Sequence, residues 1–142
     1  MFERLTSYSA EETFKYGYAF GSKISSPAIL CFFGDLAAGK TTFIKGFSAG
    51  AAQIDSSLVQ SPTFTYLHIY RGKQTIYHFD LYRLNSPSEF IDMGFDDYFN
   101  EDGICCVEWS ERIAMLLPEK TIRITLSHLG EDCRMILIEG DE

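Results

Sequence analysis

Residues 34–42 read GDLAAGKTT and follow directly on the apolar run AILCFF at 28–33. Gly34, Gly39, Lys40 and Thr41 have the Gly-x-x-x-x-Gly-Lys-Thr spacing of a phosphate-binding loop. The chemistry needs these residue types at this spacing. Two glycines permit a tight turn whose backbone N–H groups converge on phosphate oxygens, Lys40 neutralises the outer phosphates, and Thr41 offers a hydroxyl to Mg²⁺. A helix opening at Lys40 adds the positive end of its dipole to the anion site. The whole stretch, Gly34, Asp35, Leu36, Ala37, Ala38, Gly39, Lys40, Thr41 and Thr42, is therefore the candidate nucleotide cradle. A continuous apolar run feeding such a loop reads as a strand buried on both faces, which predicts an α/β fold.

The rest of the chain sets bounds around that loop. With 142 residues and 46% hydrophobic content, residues 1–142 suffice for one domain with its own core. The net charge of −8 argues against tight, sequence-independent binding to a nucleic-acid backbone, so any RNA is met through a partner. Cys31, Cys105, Cys106 and Cys133 show no CxxC spacing, which disfavours a zinc site and fits buried thiols in a reducing cytoplasm. No basic segment precedes a long apolar run and nowhere do 18 apolar residues run together, so the expectation is a soluble, cytoplasmic protein without a membrane span.

Along the chain, residues 1–8 read as a short strand or arm, and Ser9-Ala10-Glu11-Glu12 as a capping box that starts a helix running to about residue 24. Phe14, Tyr18 and Gly21 or Ser22 share one face of it, predicted to pack on the sheet, and Thr13 is read as packing rather than as a contact to a nucleotide base. The helix after the loop should run to about residue 49 and stop at Gly50, followed over 54–59 by a polar connection or an edge strand. Residues 63–70 and 75–81 are β-rich and joined by Arg-Gly-Lys-Gln, a hairpin that makes the sheet mixed. Short helices are expected over 86–99 and 112–117, and a closing antiparallel pair over 121–127 and 134–139.

Several side chains beyond the loop could carry chemistry. Asp80 interrupts the aromatic segment YHFDLYR, where an unpaired charge would be costly; either it serves a metal-bound or attacking water, or it pairs with Arg83 or another cation. His78, in the same segment, reads as a hydrogen-bonded strand residue more readily than as a base. In QSPTF at 60–64, Pro62 holds Ser61 extended and could aim the hydroxyl of Ser61 or Thr63 at a metal or terminal phosphate, although a plain strand entry is the commoner outcome. Glu108 closes the buried run ICCV at 104–107; a carboxylate at such a strand end reaches the metal beside Thr41. Trp109 either covers the site or fills the core, and Arg134 either reaches a phosphate or faces solvent from its strand.

Taken in order, GDLAAGKTT, SPTF, YHFDLYRL and VEWSER closely resemble the TsaE (YjeE) family of bacterial P-loop ATPases, over most of the chain. The resemblance implies a P-loop NTPase-like single domain, a mixed, mostly parallel central sheet with an antiparallel hairpin flanked by helices. It implies an ATPase using ATP and Mg²⁺, needed for threonylcarbamoyl modification of the adenosine next to the anticodon of certain tRNAs. TsaD and TsaB are the implied partners. Carried over by position, Lys40 and Thr41 serve phosphate and Mg²⁺, Thr63 belongs to a switch-like turn, Asp80 and Glu108 are the acidic catalytic and metal-site residues, and Trp109 sits at the site edge. Ala37 departs from the family's usual GDLGAGKTT, and so does Ser110, where proline is common. The expected chemistry is in-line attack of water on the terminal phosphate, slow in the isolated chain because no arginine finger is evident. Two rival readings share the loop: a small kinase, for which no Arg-rich lid segment is found, and a nucleotide-controlled switch whose hydrolysis is incidental. No Asn-Lys-x-Asp signature supports guanine specificity.

Overall fold

The computed structural model describes residues 2–34 and 38–140. Seven strands and three α-helices follow in the order β1 (Phe2–Ser7), α1 (Ala10–Gly21), β2 (Ala28–Phe33), α2 (Lys40–Ala52), β3 (Leu67–Arg71), β4 (Thr75–Asp80), α3 (Pro87–Asp92), β5 (Ile104–Glu108), β6 (Ile122–His128) and β7 (Arg134–Gly140) among the described residues. The strands form one sheet in the order β1-β7-β6-β2-β5-β4-β3. β6, β2, β5 and β4 are parallel to one another, whereas β7 and β3 run against them, and β1, antiparallel to β7, rejoins the main direction. This is the mixed, mostly parallel α/β sheet with an antiparallel hairpin that the sequence predicts.

The apolar runs behave as strands buried on both faces should. In β2, Leu30 and Phe32 pack with Phe43, Ile44, Phe47 and Cys106 under α1 and α2, while Ile29 and Cys31 pack with Phe79, Phe90, Val107 and Ile113 on the other face. β5 is buried along its whole length. Its register sets Phe32 opposite Glu108 on one side and Asp80 opposite Glu108 on the other. Three strand ends thus finish together beside the chain that leaves Phe33.

Two helix readings are corrected. Ser9 does cap α1, its side chain accepting from the Glu12 N–H at 3.0 Å, while the Glu12 carboxylate reaches the Tyr8 N–H at 3.2 Å. But the helix ends at Gly21, and its buried face is Thr13, Gly17, Phe20 and Gly21; Tyr18 is exposed. That face packs on α2, because glycines let the two backbones touch. A Cβ on Gly17 or Gly21 would strike the carbonyl oxygens of Phe43 or Phe47, and one on Gly46 or Gly50 those of Phe14 or Tyr18. Gly50 is therefore a packing position rather than a stop. The helix runs on to Ala52, and Gln53, at φ 56°, ends it by donating its N–H to the Ala49 carbonyl. Residues 54–59 contain a 3₁₀ turn (Ser56–Leu58) instead of an edge strand, and β3 starts at Leu67, four residues after Thr63. Residues 112–116 lie in a kinked 3₁₀ helix (Ser110–Leu116), and Leu117 ends it in an extended conformation.

Two predictions follow from this packing. Gly46→Ala gains helix propensity, yet the overlap with the Phe14 carbonyl outweighs it, and denaturant unfolding should show a loss of roughly 1–3 kcal/mol. Burial pushes the Cys31 thiol up to about 11 and that of Cys105 up to about 12. The folded state keeps these protons where the unfolded chain loses them, so their contribution to stability is full below about pH 9 and declines as pH rises toward about 11. A melting temperature falling across that interval is the expected result.

Candidate nucleotide and metal site

Gly34 and Lys40, on either side of residues 35–37, are joined by a hydrogen bond. Gly34, at φ 137°, has no room for a side chain because a Cβ would meet the Leu126 carbonyl oxygen of β6, and Gly39 takes φ 101° just before α2. Lys40, the first residue of α2, is buried; its ammonium donates to the Gly34 carbonyl at 2.7 Å and lies 4.0 Å from the centre of the Trp109 ring. Ala38 is buried, and Thr41 and Thr42 are half-buried at the start of the helix. Asp35, Leu36 and Ala37 lie outside the described residues.

A cavity of about 430 Å³ opens over this loop. Gly39, Lys40, Thr41 and Thr42 form its floor, Asp80 and Glu108 its acidic wall, Ser61 and Thr63 one rim, and Trp109, Asp132 and Arg134 line it as well. Ser9, Ala10 and Thr13 complete it from the start of α1, a contribution that helix periodicity did not reveal. Thr13 is held by a buried hydrogen bond of 2.6 Å between its hydroxyl and that of Ser7.

Asp80 and Glu108 are the last residues of adjacent strands, exposed by only 4% and 3%. The carboxylate of Asp80 is satisfied by neutral donors. Its Oδ2 accepts from the Ser61 hydroxyl at 2.5 Å and the Thr63 hydroxyl at 3.3 Å, and its Oδ1 from the Tyr82 N–H at 3.0 Å. The alternative of an ion pair with Arg83 is not what the chain adopts, since that guanidinium stacks over the exposed Phe64 ring at 4.9 Å. Glu108 faces two ways: Oε1 accepts from the Thr41 hydroxyl at 3.4 Å, and Oε2 lies 2.7 Å from His78 Nε2. The other ring nitrogen of His78 lies 2.9 Å from the Tyr70 hydroxyl. Burial pushes the Tyr70 phenol up to about 12, so it keeps its proton throughout the neutral range.

Trp109, at φ 60°, is half-buried against Tyr82, with ring centres 4.9 Å apart, and walls the cavity while edging the second core cluster. Arg134 opens β7 and lines the cavity; its guanidinium donates to the carbonyls of Glu131 and Cys133, each at 3.1 Å. Among the described residues no group of three or more His, Cys, Asp or Glu side chains forms a self-contained metal site. The donors present, one hydroxyl and two buried carboxylates, are hard oxygens, a set that suits Mg²⁺, which keeps several waters and takes substrate phosphates alongside one or two protein ligands.

Residues 7–136 match the sequence pattern of the family described as threonylcarbamoyl adenosine biosynthesis protein TsaE. The chain is 39% identical to the tRNA threonylcarbamoyladenosine biosynthesis protein TsaE of Treponema pallidum (strain Nichols) over 135 residues, 95% of this chain and 98% of that one. It is 41% identical to the protein of the same name from Haemophilus influenzae over 143 residues, covering 94% and 88% of the two chains. Its fold resembles the crystal structure of Bacillus subtilus YdiB with a TM-score of 0.80 and 30% identity, covering 99% of this chain and 86% of that one.

The partners of Asp80 lead to a direct test. Breaking a buried ion pair costs roughly 3–5 kcal/mol, whereas Arg83→Ala should cost under about 1 kcal/mol because only a contact with an exposed ring is lost. Asp80→Ala, which strips the Ser61 and Thr63 hydroxyls of their acceptor, should cost roughly 1–3 kcal/mol in denaturant unfolding.

Proposed function

The chain belongs to the TsaE family of threonylcarbamoyl adenosine biosynthesis proteins, and on that premise we propose that it binds and hydrolyses ATP with Mg²⁺ as a cytoplasmic accessory subunit acting with TsaD and TsaB. Its output is the threonylcarbamoyl modification of adenosine next to the anticodon, and with a net charge of −8 it meets tRNA only through those partners. One observation carries the reading. The Thr41 hydroxyl at the head of α2 and the Glu108 carboxylate at the end of β5 converge to 3.4 Å across a cavity floored by the phosphate-loop residues.

The roles follow from what each side chain can reach. Lys40, now held by the Gly34 carbonyl, exchanges that acceptor for the outer phosphates when ATP enters. Thr41 and Glu108 are the residues that would hold the metal, and Asp80, clamped by Ser61 and Thr63, would orient the attacking water. Bound Mg²⁺ supplies positive charge to the phosphate oxygens. Trp109 shields the Lys40 side of the cavity, and Arg134 borders it from β7. Transfer through the expanded transition state relies on positioning and charge rather than on a covalent intermediate, and partner binding completes it. The clamp of Ser61 and Thr63 on Asp80 also favours a second reading, a switch in which nucleotide state is sensed by the turn at 61–63 and hydrolysis only resets it.

Reconstituting the tRNA modification with partner proteins tests the main reading: Lys40→Ala should lose roughly 10²-fold or more of the activity, and full activity of that variant would overturn it. Isolated protein should hydrolyse ATP slowly and faster with TsaD–TsaB. A Glu108→Ala variant that binds ATP and still supports modification would favour the switch instead.

A further inference from the structure

Two buried side chains outside the ligand set, His78 and Tyr70, form a chain of hydrogen bonds that starts at Glu108 and ends at the turn carrying Ser61 and Thr63. His78 is fully buried on β4, opposite Cys106 of β5, and on the same face of the sheet as Asp80 two residues later. From there its Nε2 meets Glu108 Oε2 at 2.7 Å. Donation of Nε2–H to the carboxylate leaves Nδ1 to meet the Tyr70 hydroxyl at 2.9 Å. That hydroxyl accepts from the Gln60 N–H at 3.3 Å and lies 3.1 Å from the Gln60 carbonyl, while His68 Nδ1 is 3.1 Å from the same carbonyl. Gln60 precedes Ser61, whose hydroxyl returns to Asp80, the residue paired with Glu108 across the sheet.

We propose that His78 is a positioning residue for the Glu108 carboxylate, and that Tyr70 links this positioning to the turn at 61–63. The proposal rests on the reading of Glu108 as the metal-holding carboxylate. A carboxylate tethered only at Thr41, over 3.4 Å, could turn away from the cavity. The shorter contact at Oε2 holds its plane so that Oε1 stays toward Thr41. The contacts close a ring from Glu108 through His78, Tyr70, Gln60, Ser61 and Asp80 back to Glu108. A displacement of the turn is therefore felt at both carboxylates together. Partners of this kind, which orient a metal ligand without touching the metal, set affinity for the ion more than affinity for the rest of the ligand.

Trp109, the only tryptophan, stands in the cavity wall, so its fluorescence reads nucleotide binding directly. Mg²⁺ is titrated at a fixed concentration of a non-hydrolysable ATP analogue, and analogue binding is measured again in EDTA. His78→Phe keeps an aromatic ring, somewhat larger than imidazole, and removes the hydrogen bond; its Mg²⁺ midpoint should rise roughly tenfold or more, with EDTA binding within about twofold of wild type. His78→Gln, whose amide can donate to Glu108, should recover most of the loss, and Tyr70→Phe should raise the midpoint by about threefold. Equal losses with and without Mg²⁺, or a wild-type midpoint in His78→Phe, would overturn the proposal. Should His78→Phe not fold, a wild-type midpoint in Tyr70→Phe does so instead. A wild-type protein without Mg²⁺-dependent binding would remove the ATP reading and this proposal together, whereas unchanged variants beside a responsive wild type remove the proposal alone.

Discussion

The register of β5 between β2 and β4 is the constraint on which the site depends. It sets Phe32, Glu108 and Asp80 side by side at the C-terminal ends of their strands, so that the chain leaving β2 does so directly beside two carboxylates. Side chains alternate faces along a strand, and a slip of one residue would send Glu108 to the face packed by α3 while bringing Val107 to the cavity. The apolar residues prevent that slip. Cys106 and Ile104 belong to the cluster under α1 and α2, Cys105 and Val107 to the opposite one, and a shift would exchange the two sets. The packing that stabilises the fold is thereby also what aims the acids.

The second support is the contact between α1 and α2. Gly17 and Gly21 meet α2 while Gly46 and Gly50 meet α1, so each backbone lies against the other without side chains between them. This close approach brings the start of α1, with Ser9, Ala10 and Thr13, to the rim of the cavity above Lys40 and Thr41. A bulkier seam would move one wall of the cavity outward.

Burying Asp80 and Glu108 carries a desolvation cost that hydrogen bonds offset. Asp80 relies on two hydroxyls and an amide, Glu108 on a hydroxyl and an imidazole. The neutral donors around Asp80 hold its carboxylate in place without cancelling its charge, which leaves that charge available to a cation entering the cavity. An arginine partner would have neutralised the group instead, and Arg83 is directed to the Phe64 ring.

Much of this was legible in the chain. Loop spacing, apolar strands that end in Asp80 and Glu108, the Arg-Gly-Lys-Gln hairpin and the closing strand pair are local patterns, and local patterns survive in sequence because each depends on a few consecutive residues. The buried face of α1 was read through Phe14 and Tyr18 because aromatic residues usually mark the packed side; Gly21 was placed on it, but only the proximity of a second glycine-bearing helix puts Gly17 there and leaves Tyr18 exposed. Gly50 read as a stop for the same reason. His78 read as a hydrogen-bonded strand residue, which it is, but its partners were not legible because Glu108 lies thirty positions away and one strand over. The sequence by itself determined the phosphate-loop spacing and where the acids end their strands, since spacing and burial propensity are properties of the chain. Only the tertiary structure decided which donors hold those acids, because that depends on strand order and on contacts between residues far apart in the chain.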